Sequence, residues 1–276
     1  RDLEVRAWAA AHGLRVPALI GYDLSDGWAV LEDFGADDAE HALERMPHSE
    51  RLERGTFLFH PLIALATVDL SELPAWNPPL VMQRKRWELA GFELWYLRHH
   101  LKLAPTPPVG RWLDDLAAAI AEHPRRVCHR DYHLNNLFLL ANGEIGLIDY
   151  QDMLIGPDTY DGVSLLSERG TLSLFSEDEG RRLREAWAVA TGAASGWRDR
   201  WRQVSLQRGL KVLGTFTRLT AAGATVYEQW IGPLANRLAA QAGAVSAPSE
   251  LVDLLLDWSR RRHPAVRRRD QEAAAD

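Results

Sequence analysis

The sequence predicts an α+β chain made of two unlike regions: a short front region with one helix and one hairpin, then a long, mainly helical region interrupted by a small cluster of strands. Three observations predict it. Apolar residues recur at helical spacing over most of the chain. Two short apolar runs flank the turn triplet Ser25-Asp26-Gly27. A second group of short apolar runs, bracketed by polar loops, falls between residues 126 and 150.

The elements follow in order. Leu3, Val5, Trp8, Ala9 and His12 lie near helical spacing, and Gly13 stops that helix in the manner of a C′ glycine. The runs at 18–23 and 28–32 form the hairpin. Residues 33–38 are polar, contain Gly35 and read as a linker. From Ala39 to Ile120 the pattern is helical, broken by prolines at 74–79 and 105–108. Strands are expected at 126–129, 137–140 and 145–150, with Ala141-Asn142-Gly143 as the turn between the last two. Helices are expected again at 172–183, 197–219, 227–240 and 248–261.

Composition narrows the function classes. A chain of 276 residues can bury a sizeable core and is long enough for two lobes. No apolar run approaches the roughly 18 residues of a membrane span, and the N-terminus lacks the pattern of a secretory signal. The single cysteine, Cys128, excludes an internal disulfide framework and suits a reducing cytoplasm, where the protein is expected. A monomer with no membrane partner is expected as well. A formal charge of −6 argues against nucleic acid as a partner, and the arginine-rich run from Arg260 to Arg269 reads as a solvated tail.

The strand cluster carries the chemistry. It reads Val127-Cys128-His129-Arg130-Asp131-Tyr132-His133-Leu134-Asn135-Asn136 and then Ile148-Asp149-Tyr150-Gln151-Asp152. A loop leaving one strand presents Asp131, and Asn136 arrives five residues later as the next strand begins. The Asn142-Gly143 turn folds the chain back, so Asp149 returns to the neighbourhood of Asn136. An amide oxygen and a carboxylate converging there suit Mg²⁺, a hard cation that prefers oxygen ligands and substrate phosphates. Asp131, not needed as a ligand, can accept the proton of an incoming hydroxyl. A cap or a turn explains any of these residues alone; the whole arrangement, with apolar strands and a turn between, is the division of labour that phosphoryl transfer requires.

His129-Arg130-Asp131-Tyr132-His133-Leu134-Asn135-Asn136 resembles the aminoglycoside phosphotransferase pattern His-x-Asp-x-His-x-x-Asn. Ile148-Asp149-Tyr150-Gln151-Asp152 followed by Gly156-Pro157 and Tyr160-Asp161 is similar to the same superfamily. The Asp-Phe-Gly and Ala-Pro-Glu blocks of a protein kinase are missing. Within the superfamily these blocks look most like a bacterial branch of sugar kinases that phosphorylate the anomeric hydroxyl of N-acetylmuramic acid and N-acetylglucosamine in cell-wall recycling. Trp87 to Leu101 and Gln207 to Phe216 are similar to that branch as well.

The resemblance implies an α+β, protein-kinase-like bilobal fold. It would have a truncated N-lobe with a short antiparallel β segment and a large, mainly helical C-lobe carrying a small catalytic β hairpin. It divides the chain into an N-lobe remnant and hinge at 1–35, the C-lobe at 36–262 and a charged tail at 263–276. Asp131 would be the catalytic base, with His129 and Arg130 holding its loop, and Asn136 and Asp149 the Mg²⁺ ligands. Asp161 would brace the loop, although its place at a helix start explains it equally. His133 would lie near the phosphates or pack in the loop. ATP would lay its adenine against Glu32, Asp33 and Phe34, read through backbone groups. Substrate contacts would come from Asp152, Glu88, Lys211 and Arg218, where a solvated basic face is the competing explanation for the last two. Glu4 matches a helix position that pairs with a strand lysine in the family. Lys85, Lys102 and Lys211 lie in the wrong region to be that partner, so an upstream segment carrying it and the phosphate loop is expected.

The implied activity is ATP-dependent phosphorylation of a small-molecule hydroxyl, the anomeric hydroxyl of an amino sugar. Aminoglycoside or choline-type kinases are the alternatives within enzymes. A pseudokinase or binding module is the alternative of another class, favoured if the short N-lobe is native; intact Asp131, Asn136 and Asp149 argue against it.

Overall fold

The computed structural model describes residues 1–262, and the expected tail at 263–276 lies outside the described residues. The described chain forms two compact units, one from Arg1–Leu80 with Pro124–Trp197 and the other from Val81–His123 with the segment after Arg198. No described helix is long and apolar enough to cross a membrane.

The first unit opens with α1 (Asp2–Ala11), which ends before Gly13 at φ +78°, a backbone conformation that suits glycine. The strands β1 (Leu19–Asp23) and β2 (Trp28–Leu31) pair antiparallel, and the Asp23 carboxylate closes their turn by accepting from the N–H groups of Ser25 and Asp26. Three helices follow: α2 (Ala39–Arg45), α3 (His48–Phe57) and α4 (His60–Thr67). Asp38 caps the first of them by accepting from the N–H of His41.

After the excursion through the second unit come four short strands, β3 (Arg125–Cys128), β4 (Leu137–Leu139), β5 (Ile145–Leu147) and β6 (Leu154–Pro157). β4 and β5 pair as the expected hairpin, with Phe138 opposite Gly146. β6 is a strand the sequence pattern did not predict. It pairs antiparallel with β3, Val127 opposite Ile155, and Gly156 is needed there because a Cβ would lie 2.9 Å from Cys128 Sγ. The expected strand at 145–150 stops at Leu147, because Asp149 takes a left-handed conformation and starts a 3₁₀ turn at Tyr150–Asp152.

Helices α7 (Tyr160–Leu166), α8 (Arg169–Leu174) and α9 (Glu177–Ala190) complete the unit. The single helix expected at 172–183 is split, because Ser176 and Glu179 form a capping box that starts a new helix. Val5, Leu43, Phe59, Leu134, Tyr160 and Trp187 are among the buried side chains of this unit.

The second unit is helical. α5 (Met82–Gly91) runs directly into a widened, π-helical stretch at Phe92–Leu101, which ends at Lys102 with φ +60°. α6 (Pro107–Ala121) starts on two prolines, where the missing N–H groups cost nothing. α10 (Trp197–Ala221), α11 (Glu228–Ala242) and α12 (Ser249–Arg262) close it. Leu89, Phe92, Leu97, Leu210, Leu213 and Leu238 lie in its core. α10 approaches the junction of α5 and the π-helical stretch through Gly214, where a Cβ would sit 2.7 Å from Gly91 C and from Phe92 N.

Candidate active site

β3 delivers the chain into the loop His129–Asn136, and α7 holds that loop from below its backbone. Asp161, in the first turn of α7 and 5% exposed, accepts from His129 N at 2.6 Å through one oxygen and from Arg130 N at 3.0 Å through the other. Hydrogen bonds to an ionised acceptor are stronger than neutral ones. They hold Arg130 at φ +81°, a conformation a non-glycine residue reaches only when its surroundings impose it. The Arg130 side chain then donates to Asp152 at 2.8 Å.

His129 is buried, and its Nε2 lies 3.0 Å from the carbonyl of Ile148, so Nε2 carries the proton. Burial pushes its pKa down to about 4 against the opposing pull of that carbonyl, which keeps the ring neutral near pH 7. Tyr132, also buried, donates to the Leu58 carbonyl at 2.5 Å. The loop is tied on both sides, while Asp131 between them is half-buried. Among the described residues no donor engages the Asp131 carboxylate; its backbone carbonyl instead accepts from Asn136 Nδ2 at 2.8 Å.

Asn136 and Asp149 meet as the sequence spacing predicts. Ile148 N donates to Asn136 O at 3.1 Å, and Asn136 Nδ2 lies 3.4 Å from Asp149 Oδ2 and 3.3 Å from His133 Nε2. The left-handed backbone of Asp149 turns its carboxylate to the surface, where Gln151 Nε2 donates to Oδ1 at 2.5 Å. Asn136 spends its NH₂ on Asp131 and Asp149, so its Oδ1 has no donor among the described residues. An amide oxygen and a carboxylate fit a hard cation. No set of three or more His, Cys, Asp or Glu side chains converges as a metal cage among the described residues, so phosphate and water oxygens would supply the remaining ligands.

The segment expected to read adenine follows β2. Glu32 is partly exposed, and its carboxylate accepts from Arg15 Nη1 at 2.8 Å and Nη2 at 2.5 Å and from Ala18 N at 2.9 Å. Those donors hold the Glu32 carboxyl down at about 2. Asp33 closes a turn by accepting from Gly35 N, and the Phe34 ring packs beside Phe138, centroids 5.6 Å apart. Among the described residues the backbone N–H groups of Asp33 and Phe34 have no partner.

The expected substrate residues are divided between the two units. Asp152 is engaged by Arg130 in the first unit. Glu88 and Lys211 meet in the second, Nζ to Oε1 at 3.3 Å. Arg218 is exposed. On the helix that carries Lys211 and Arg218, Gln207 is fully buried, its Nε2 donating to Glu88 Oε2 at 2.9 Å. The sequence offers Lys85 no role beyond excluding it as a partner of Glu4, yet it is wholly buried and lies 3.3 Å from both Glu88 and Gln207. Its spacing of three from Glu88 on one helix was the available signal.

A loop braced through its backbone, a carboxylate within it that no donor engages among the described residues, and an Asn–Asp pair closing a hairpin define the protein-kinase-like class of α+β folds. Solved structures agree. A choline/ethanolamine kinase family protein from Mesorhizobium loti is similar in fold at a TM-score of 0.59 and 15% identity, over 92% of this chain and 81% of that one. Aminoglycoside phosphotransferase APH(3'')-Id from Streptomyces rimosus, solved with ADP and streptomycin, is similar at 0.53 and 17% identity, over 76% and 82%. The profile of the phosphotransferase enzyme family, APH, matches residues 1–204, and the chain belongs to that family. An N-acetylmuramate/N-acetylglucosamine kinase of Pseudomonas aeruginosa is 33% identical over 235 residues, which are 79% of this chain and 65% of the relative. The chain thus spans somewhat less than two thirds of that relative's length.

Proposed function

We propose that the protein transfers the γ-phosphoryl group of ATP to a hydroxyl of a small molecule, the anomeric hydroxyl of an N-acetylated amino sugar. The observation that carries the transfer is the Asp131 carboxylate, in a loop braced by the bonds from His129 N and Arg130 N to Asp161 yet engaged by no donor among the described residues. In this reading the substrate O–H gives its proton to Asp131 as its oxygen attacks the γ-phosphorus and the bond to the β-phosphate oxygen breaks, releasing ADP. A bound Mg²⁺ supplies charge neutralisation for the phosphates, and Asn136 Oδ1 and Asp149 are the groups that would hold it. His129, Arg130 and Asp161 position the loop. Asp33 and Phe34, whose backbone N–H groups have no partner among the described residues, would offer them to the adenine.

The amino-sugar assignment is supported by the relative from Pseudomonas aeruginosa and by the blocks around Asp149 and Gly156. The solved neighbours at 15% and 17% identity bear on fold alone.

Two measurements test the reading. Asp131→Asn in the full-length protein lowers turnover by about 10² to 10⁴, the usual contribution of a general base, and near-normal turnover removes Asp131 from that role. ATP consumption screened against amino sugars, aminoglycosides and choline rises with the amino sugars; a response to aminoglycosides alone overturns the substrate assignment.

A further inference from the structure

Arg15 follows α1 and joins two parts of the first unit that the proposed reaction uses separately. Its carbonyl accepts from Leu147 N at 2.8 Å, and Arg15 pairs with Gly146 as an isolated parallel bridge, so its backbone extends the edge of β5. That strand leads two residues later into Asp149. Its side chain goes the other way. The guanidinium grips both oxygens of Glu32, bonds the Val16 carbonyl at 3.0 Å and stands 4.8 Å from the Phe34 ring centroid, with Glu144 3.5 Å from Nε. Phe34 is seated against Gly146 so closely that a Cβ there would lie 2.7 Å from the ring. Glu32 is fixed at its backbone too, donating to Ala18 O at 2.8 Å.

We propose that Arg15 is a positioning residue for the nucleotide, setting the backbone of Asp33 and Phe34 in register with the strand that delivers Asp149. The inference rests on reading residues 32–35 as the adenine-binding segment. An arginine fork on a carboxylate fixes orientation as well as distance, which a lysine cannot do. The pair is about one-third exposed on each side, 29% and 31%, and ion pairs with that much solvent contribute little to folding. Its consequence therefore lies in where it holds Glu32 and Phe34, and removing it should be felt in nucleotide affinity before stability.

The test uses the full-length protein with Arg15→Gln, Glu32→Gln and the double variant. Each single change raises KM for ATP by about tenfold, the scale of one lost charge-assisted contact, and leaves kcat, KM for the acceptor and Tm close to wild type. The double variant is no worse than either single one, because the two residues act through one contact. Arg15→Lys, which keeps the charge and loses the fork, falls between Arg15→Gln and wild type. An unchanged KM for ATP in Arg15→Gln overturns the proposal, as does a fall in Tm that carries kcat and both KM values with it. Calorimetric titration of the wild-type protein with ATP separates the two levels: no binding defeats the kinase reading itself, whereas equal binding by wild type and Arg15→Gln defeats only the role of Arg15.

Discussion

Replacing Glu88 with Ala should cost the second unit a large fraction of its stability. Lys85 is wholly buried, the Glu88 side chain is 2% exposed, and the two approach to 3.3 Å. Gln207 and Lys211 complete the group, each within 3.3 Å of Glu88. Truncating the carboxylate removes the counter-charge that faces the buried Lys85 ammonium, and removing one partner of a buried pair typically costs about 3–5 kcal/mol. The assay is urea unfolding at pH 7, followed by tryptophan fluorescence. Adding Lys85→Met to the same chain should recover most of the loss, since an apolar side chain of similar length leaves no charge behind.

The pH dependence gives an independent measure. Burial alone would raise the Glu88 carboxyl, but Lys85, Lys211 and Gln207 outweigh it and hold it down at about 2, from 4.5. A carboxyl depressed in the folded state contributes stability that is complete above pH ~4.5 and lost as the pH falls toward ~2. At 1.36 kcal/mol per unit this amounts to about 3 kcal/mol. Wild type should lose that increment over the acid limb, and Glu88→Ala should not. A single variant within about 1 kcal/mol of wild type, or a double variant no better than the single, would refute the reasoning.

Two further outcomes follow from the geometry. Asp149→Ala should abolish the Mg²⁺-dependent part of ATP binding, read by calorimetry with and without Mg²⁺; unchanged affinity would place the metal elsewhere. Gly214→Ala drives a Cβ into the backbone of Gly91 and Phe92 at 2.7 Å, so it should destabilise by about 1–3 kcal/mol and lower Tm in a thermal melt.

The parts of the site legible in the sequence are those where covalent spacing fixes position. Asp131 and Asn136 share one loop, and a two-strand hairpin with an Asn-Gly turn can only return Asp149 to the strand's starting edge. What escaped is what long-range packing decides. β6 is four residues long, contains a glycine and ends in a proline; it is a strand because β3 offers its ladder and Leu80 donates to Ile155 O from the other side. Lys85 reads as a surface lysine on α5, because its partner Gln207 lies 122 residues away. Glu32 and Arg15 are 17 residues apart with a hairpin between them, and nothing in their spacing announces a bidentate pair.

A base that accepts a proton from a substrate must be oriented without being hydrogen-bonded, since every donor it accepts lowers its affinity for the proton. In the proposed mechanism, where Asp131 is that base, the loop meets both demands by moving the restraint onto the backbone. Asp161 holds the two residues before Asp131, and Asn136 holds the carbonyl of Asp131 itself. Arg130 holds a φ of +81°, which a non-glycine residue rarely adopts, while its N–H and that of His129 both bond to the Asp161 carboxylate. The same logic explains why His129 is buried and neutral. In that mechanism a charged imidazole two residues from Asp131 would depress the proton affinity that the reaction needs, whereas a neutral one that donates to Ile148 ties the loop to the segment that leads from β5 into Asp149 at no electrostatic cost to Asp131.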